Sequence, residues 1–187
     1  MRSKASLLLP RARSGARSGT RSTASACATG CPDLRTFYVV RHAKAGSRSH
    51  WSGDDRLRPL NNKGKKQSEE LVAVLKPFRI SDIFSSPYLR CMQTVEPLAR
   101  ARRLQVKRSP SLEEGHGLEG LTEFLGDRSL ADVVLSTHGD IVWELVEDLV
   151  ERELIKAGEG GYEKGSTWLL EVDDHGVAER ARYIAAP

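Results

Sequence analysis

The chain has 187 residues, 39% hydrophobic and 29% charged, which suits one soluble domain with a tail better than two full domains. Its net charge of +4 is unevenly spread: residues 1–32 hold six basic residues and no acid, leaving 23 basic against 25 acidic in the rest. This argues against a wholly basic nucleic-acid-binding domain, and no apolar run approaches the roughly 18 residues that a helical membrane span needs.

Residues 1–33 read as an Arg-, Ser- and Ala-rich disordered extension, since such a composition buries too little apolar surface to fold. A start site placed too far upstream fits the same residues. Their only apolar run, Ala5 to Leu9, is too short for a secretory signal. Import into an organelle is the minority reading, because Arg and Ser without acid also mark transit peptides. Cys27, Cys31 and Cys91 make no disulfide framework and belong to no paired Cys/His cluster. Free thiols in a reducing compartment, hence a cytoplasmic protein with no metal, are expected.

The folded domain is expected over 34–187. Thr36 to Val40 is β-branched and aromatic, a buried strand ending at Arg41-His42-Ala43-Lys44. A loop rich in Gly, Ser and charge follows, through Asp55. Leu71, Val72, Leu75 and Phe78 recur at helical spacing and predict a helix over 67–78. Ile80 to Ser85 is a second strand, stopped by Pro87. Tyr88 to Ala101 is a helix that Pro97 should kink or shorten. Gln105 to Ser109 suggests a third strand, and a Gly-rich loop leads into a short helix from Leu121. Asp132 to Ser136 is an apolar strand ending in Thr137-His138-Gly139, followed by an amphipathic helix over 141–155. Thr167 to Val172 and Val177 to Ile184 form a closing hairpin across Asp173-Asp174-His175-Gly176. Strands alternating with helices predict an α/β fold with a largely parallel sheet.

His42 and His138 each fall at the carboxyl end of a predicted strand, where ligands bind in open α/β sheets. If those strands are neighbours, both imidazoles face one crevice. Arg41 precedes the first histidine, and Arg90 follows a third strand end. Two guanidiniums and two imidazoles make an anion pocket, and arginine matches phosphate geometry.

These residues resemble the histidine phosphatase (phosphoglycerate mutase-like) superfamily. Arg41-His42-Ala43 is similar to its Arg-His-Gly signature. The run from Ser85 through Arg90 to Gln93-Thr94 resembles its Ser-Pro-x-x-Arg-x-x-Gln-Thr motif. Thr137-His138-Gly139 resembles its third motif, and Arg58-Pro59-Leu60 with Gly64 the Arg-Pro-Leu…Gly segment of its smaller members. The four motifs fall in family order over 36–140. The resemblance implies a three-layer sandwich with a mostly parallel central sheet flanked by helices. It also implies a phosphatase that needs no metal or cofactor. His42 would attack phosphorus and become a phosphohistidine that water then hydrolyses, and an imidazole does this only when neutral. Arg41, Arg90 and His138, the last protonated in the charged pocket, would hold the equatorial oxygens. The family's proton donor is a carboxylate after the second motif. Glu114 is favoured here, with Glu113 close behind, a solvated loop acid being the plain alternative.

The sequence departs from the family at Ala43, Ala45 and Arg48, where many members carry Gly and polar phosphate contacts. This argues against a dedicated phosphoglycerate mutase. Only 23 residues separate Glu114 from His138, too few for a large lid. The site should be open, as in the bacterial phosphohistidine phosphatase and the phosphatase domain fused to Nudix hydrolases. An open site suits a phosphorylated small molecule, a nucleotide or a phosphohistidine on a protein; nucleic acid and membrane are not expected partners. Lys44, Arg48 and Arg58, with His50 and Arg56 beside them, could meet the rest of an anionic substrate, or could be a solvated basic loop. Trp51 reads as a loop anchor rather than a base-stacking platform. A catalytically weak phosphate-binding module and a nucleic-acid-binding module are the readings from other classes, and the intact Arg41, His42, Arg90 and His138 speak against the first.

Overall fold

The computed structural model describes residues 34–187, and the expected extension over 1–33 lies outside the described residues. The elements follow the chain as strand β1 (Arg35–Arg41), helix α1 (Asn62–Val74), β2 (Asp82–Ser85), α2 (Leu89–Arg102), β3 (Val106–Arg108), α3 (Gly117–Gly126), β4 (Val133–Thr137), α4 (Gly139–Glu151), β5 (Thr167–Val172) and β6 (Ala178–Ile184). Six strands form one sheet in the order β3-β2-β4-β1-β5-β6. The first four run parallel; β5 is antiparallel to β1, and β6 to β5. The sheet is therefore mostly parallel, with an antiparallel hairpin at one side.

Alternation along the central strands divides the core in two. Phe37, Val39, Val133 and Leu135 face α3 and α4, meeting Leu121, Phe124, Ile141 and Leu145. Tyr38, Val40 and Val134 face α1 and α2, meeting Leu71, Leu75, Val95 and Leu98. Strands buried on both faces read as continuous apolar runs, as β1 and β4 do. The result is the expected three-layer α/β sandwich.

The differences lie at helix ends. Helix α1 starts at Asn62, five residues before the expected start at 67, because the Asn61 side chain caps it by accepting from the Gly64 amide at 2.9 Å. It ends at Val74, and Phe78 packs beyond it against Tyr38. Helix α3 begins at Gly117 rather than Leu121, and α4 stops at Glu151 rather than Ile155. Pro97 does not shorten α2, which continues to Arg102. Val95, Leu98 and Ala99 are buried around it, and that packing offsets the backbone bond a proline removes.

Candidate active site

Strands β1 and β4 are hydrogen-bonded neighbours in parallel register, with Arg41 opposite Thr137. The residue after each is a histidine, so the register alone brings His42 and His138 together. Their rings lie 5.5 Å apart, edge to face. Arg41, Arg90 and the two histidines line a cavity of about 640 Å³, together with Lys44, Arg48, Arg58, Glu114, Asp140 and Lys164. The sheet topology thus assembles residues that are far apart in sequence.

His42 is 6% exposed. Its Nδ1 lies 2.8 Å from the Ala43 carbonyl oxygen. A carbonyl only accepts, so Nδ1 carries the hydrogen and Nε2 keeps its lone pair. Burial pushes its pKa down to about 3, and the nearby Arg90 and Arg41 charges act in the same direction. The ring is therefore held neutral, as a nucleophile requires. The loop behind it is pinned as well: Thr94 Oγ1 accepts from the Ala43 amide at 2.9 Å and donates to the Arg90 carbonyl at 2.7 Å.

His138 is 1% exposed. Arg90 Nη2 lies 3.3 Å from its Nδ1, and guanidinium nitrogens only donate, so Nδ1 is an acceptor. Its Nε2 then carries the hydrogen and donates to Ser86 Oγ at 2.8 Å. Burial and the Arg90 charge push its pKa down to about 3. The expected protonated His138 therefore belongs to a pocket that holds an anion, because a second cation beside Arg90 is unfavourable without one between them.

Arg90 is 1% exposed. Its Nη1 meets the Asp55 backbone carbonyl at 2.9 Å and the Asp55 carboxylate at 3.0 Å. Its Nη2 meets Glu114 at 3.0 Å, and the guanidinium stacks on Tyr88 with 4.5 Å to the ring centre. Arg41 donates to the Tyr162 carbonyl and lies against Gly139, where a Cβ would collide with its guanidinium. The glycine of Thr137-His138-Gly139 thus leaves room for the guanidinium of the first motif, which a larger residue would displace.

Glu114 lies in the cavity wall, bonded to Arg48 at 3.1 Å and Arg90 at 3.0 Å, with His138 Nδ1 4.0 Å away. Glu113 points elsewhere, onto Arg56. Arg48 is an exposed latch between Glu114 and Asp55. Arg58 lines the cavity, yet its Nε is held by Asp55 at 2.7 Å and its Nη1 by the Gly46 carbonyl at 2.7 Å. Lys44 reaches the cavity; His50 and Arg56 are not among its walls. Trp51 donates to the Asp54 carbonyl at 2.9 Å, a contact that suits an anchor of its loop.

Sequence reasoning missed Asp55, Gln67 and Lys164. Asp55 binds three guanidiniums, and the hydrogen bond from Arg58, with Arg90 and Arg48 beside it, holds its carboxyl well below the usual carboxylate range. The Arg58-Pro59-Leu60 segment marked the neighbourhood but not this role. Lys164 had no local signal; the pairing of β5 with β1 brings it to the cavity. Among the described residues no group of three or more His, Cys, Asp or Glu is arranged to hold a metal, and no helix is long and apolar enough to cross a membrane.

The 8-oxo-(d)GTP phosphatase of Mycolicibacterium smegmatis is 36% identical over 162 residues, covering 83% of this chain. The chain spans only 49% of that relative's length. A SixA structure from Agrobacterium tumefaciens superposes with a TM-score of 0.67 at 23% identity, over 82% of this chain and 98% of that one. Phosphoglycerate mutase from Bacillus anthracis superposes at 0.57 and 15% identity, over 83% and 93% of the two chains. These two likenesses show the fold. The model of the histidine phosphatase superfamily (branch 1) matches residues 37–128, which hold two of the four motifs complete and the short Arg-Pro-Leu…Gly segment as a third. The chain belongs to the histidine phosphatase superfamily.

Proposed function

We propose that the protein is a phosphatase that hydrolyses a phosphomonoester or phosphoramidate through a phosphohistidine on His42. The observation that carries this is the Nδ1–H to Ala43 carbonyl bond, which leaves the neutral Nε2 lone pair on a ring lining a cationic cavity. In the first step Nε2 forms a bond to phosphorus as the bond from phosphorus to the leaving group breaks, and the leaving atom takes a proton from Glu114, which has received it from the substrate's phosphate monoanion. Arg41 and Arg90 stabilise the charge on the three remaining oxygens, joined by His138, whose protonated form the incoming anion favours. Their charge takes the place a metal would fill, so no metal is required. Incoming phosphate competes with Glu114 for Arg90 and releases that carboxyl to serve the leaving group. In the second step water attacks phosphorus and gives a proton to the Glu114 carboxylate, the N–P bond breaks, inorganic phosphate leaves and His42 regains its lone pair.

The name of the 36% identical relative supports a nucleotide as the substrate class, ahead of a phosphohistidine protein. The test is rapid acid- and alkali-quench of the full chain mixed with a labelled aryl phosphate in excess chelator. A covalent phosphate that survives alkali and is lost in acid is expected, and His42→Ala should abolish both it and turnover. Turnover retained by His42→Ala, or lost to chelator in the parent, would overturn the reading.

A further inference from the structure

We propose a second anion subsite beside the phosphate pocket, formed by Lys44 and Lys164, that takes the next phosphoryl group of a phosphoanhydride chain. It rests on the reading of His42 as the acceptor of the transferred phosphate. Lys44 follows the end of β1 and Lys164 precedes β5, and the two strands pair antiparallel, so both lysines stand at one end of the sheet. The Gly165 amide donates to the Arg41 carbonyl at 3.1 Å, tying the Lys164 loop to the residue before the nucleophile.

A buried side chain fixes the spacing of the pair. Gln67 of α1 is 6% exposed. Its Oε1 accepts from the Lys44 amide at 3.0 Å, and its Nε2 donates to the Lys164 carbonyl at 2.9 Å. One buried amide therefore clamps both backbones, and the Lys44 carbonyl is taken by the Asn61 amide at 3.0 Å. A buried amide with both ends satisfied by backbone is a rigid support for the lysines above it.

The charge pattern sets these lysines, with Arg41, apart from the other cations of the cavity. Asp55 and Glu114 are ion-paired to Arg48, Arg58 and Arg90. Among the described residues neither Lys44 nor Lys164 has a carboxylate within the 4.0 Å of an ion pair. Both line the same cavity as His42. Partial burial lowers the pKa of Lys164, and the nearby Arg41, Arg58, Lys44 and Arg90 charges act in the same direction. A ligand with one phosphate is served by Arg41, Arg90 and His138. The uncompensated lysines are left for further negative charge on the same ligand, and a diphosphate or triphosphate supplies it at short range.

The test uses the full chain carrying His42→Ala, so that no ligand is turned over, and titrates inorganic phosphate and inorganic pyrophosphate by calorimetry at one ionic strength. Pyrophosphate should bind about tenfold more tightly than phosphate, the size of one or two charge-assisted contacts. Lys44→Met with Lys164→Met should bring the two affinities within about twofold, by weakening pyrophosphate far more than phosphate. Lys44→Arg with Lys164→Arg should keep the preference. No preference in the parent, a preference that survives the methionine pair, or equal weakening of both ligands would each overturn the subsite. Failure of the phosphohistidine reading shows separately, as absence of the trapped intermediate in the chain with His42 intact.

Discussion

The carboxylate of Glu114 occupies the position on Arg90 that a phosphate oxygen would compete for, 4.0 Å from His138. Glu113, one residue earlier, is committed to Arg56. Sequence offered both acids; the turn between them decides which one faces the cavity. If Glu114 supplies the proton to the leaving oxygen, its value must depend on how much that oxygen needs one. An aryl oxide leaves readily without help, whereas an alkoxide does not. Glu114→Gln is therefore expected to lower kcat/KM for an alkyl phosphate by about a hundredfold, the usual scale of general acid catalysis, and for a nitrophenyl phosphate by only a few fold. Phosphoenzyme should still form from the nitrophenyl ester. An equal loss on both substrates would assign Glu114 to holding Arg48 and Arg90 rather than to proton transfer.

At the scale of elements, the Arg-Pro-Leu…Gly segment is a set of structural anchors for the loop that surrounds the site. Ala45 bridges Leu60, the Gly46 amide bonds the Pro59 carbonyl at 3.1 Å, and Leu60 donates its amide to Gln93 at 2.9 Å. Gly64 lies in the first turn of α1, where a Cβ would run into the Lys44 carbonyl oxygen. The helix can approach the nucleophile loop this closely only because that side chain is missing. Gly64→Ala should cost about 1–3 kcal/mol, since the obstacle is backbone and cannot rotate away. Gly126, at the end of α3, has nothing within 4 Å of its Cβ position, and Gly126→Ala should be neutral or slightly stabilising. Thermal unfolding of the two variants side by side checks the contrast; equal shifts in Tm would refute it. The same glycine explains why α1 was legible only from Gln67 onward. Its first turn, Asn62-Lys63-Gly64-Lys65, carries no apolar repeat, and its start is set by a cap and a close approach that periodicity does not register. Strands were easier to read: β1, β2, β4 and β5 are short apolar or β-branched runs closed by polar or turn residues, and β6 follows β5 across a short turn. The site quartet was legible because its members follow strand ends in recognisable order. Lys164, Asp55 and the Gln67 clamp were not, since nothing in a local window shows which loops a sheet will bring side by side.

Over the whole molecule, the price of this site is two imidazoles buried in a positive environment. Both His42 and His138 have pKa values pushed down to about 3, below the ordinary 6.5. The folded chain thus keeps both rings neutral at mildly acid pH, while the unfolded chain protonates them. Between pH 6.5 and about 3 the unfolded state binds more protons, so stability falls as pH drops through that window and is indifferent to these groups above it. Asp55 acts in the same direction, but its carboxyl is held low, so its contribution is lost only below the ordinary carboxylate value of 3.8. A fall in Tm between pH 6.5 and 4.5 therefore belongs to the histidines rather than to Asp55. The full chain should show that fall, and a chain with His42→Gln and His138→Gln should show a much shallower one. Parallel Tm profiles in the two chains would mean that other groups set the acid limit. Inorganic phosphate should reduce the slope in the parent, because an anion between Arg90 and His138 favours the protonated ring and lets the folded state take up the proton the unfolded state would otherwise bind alone.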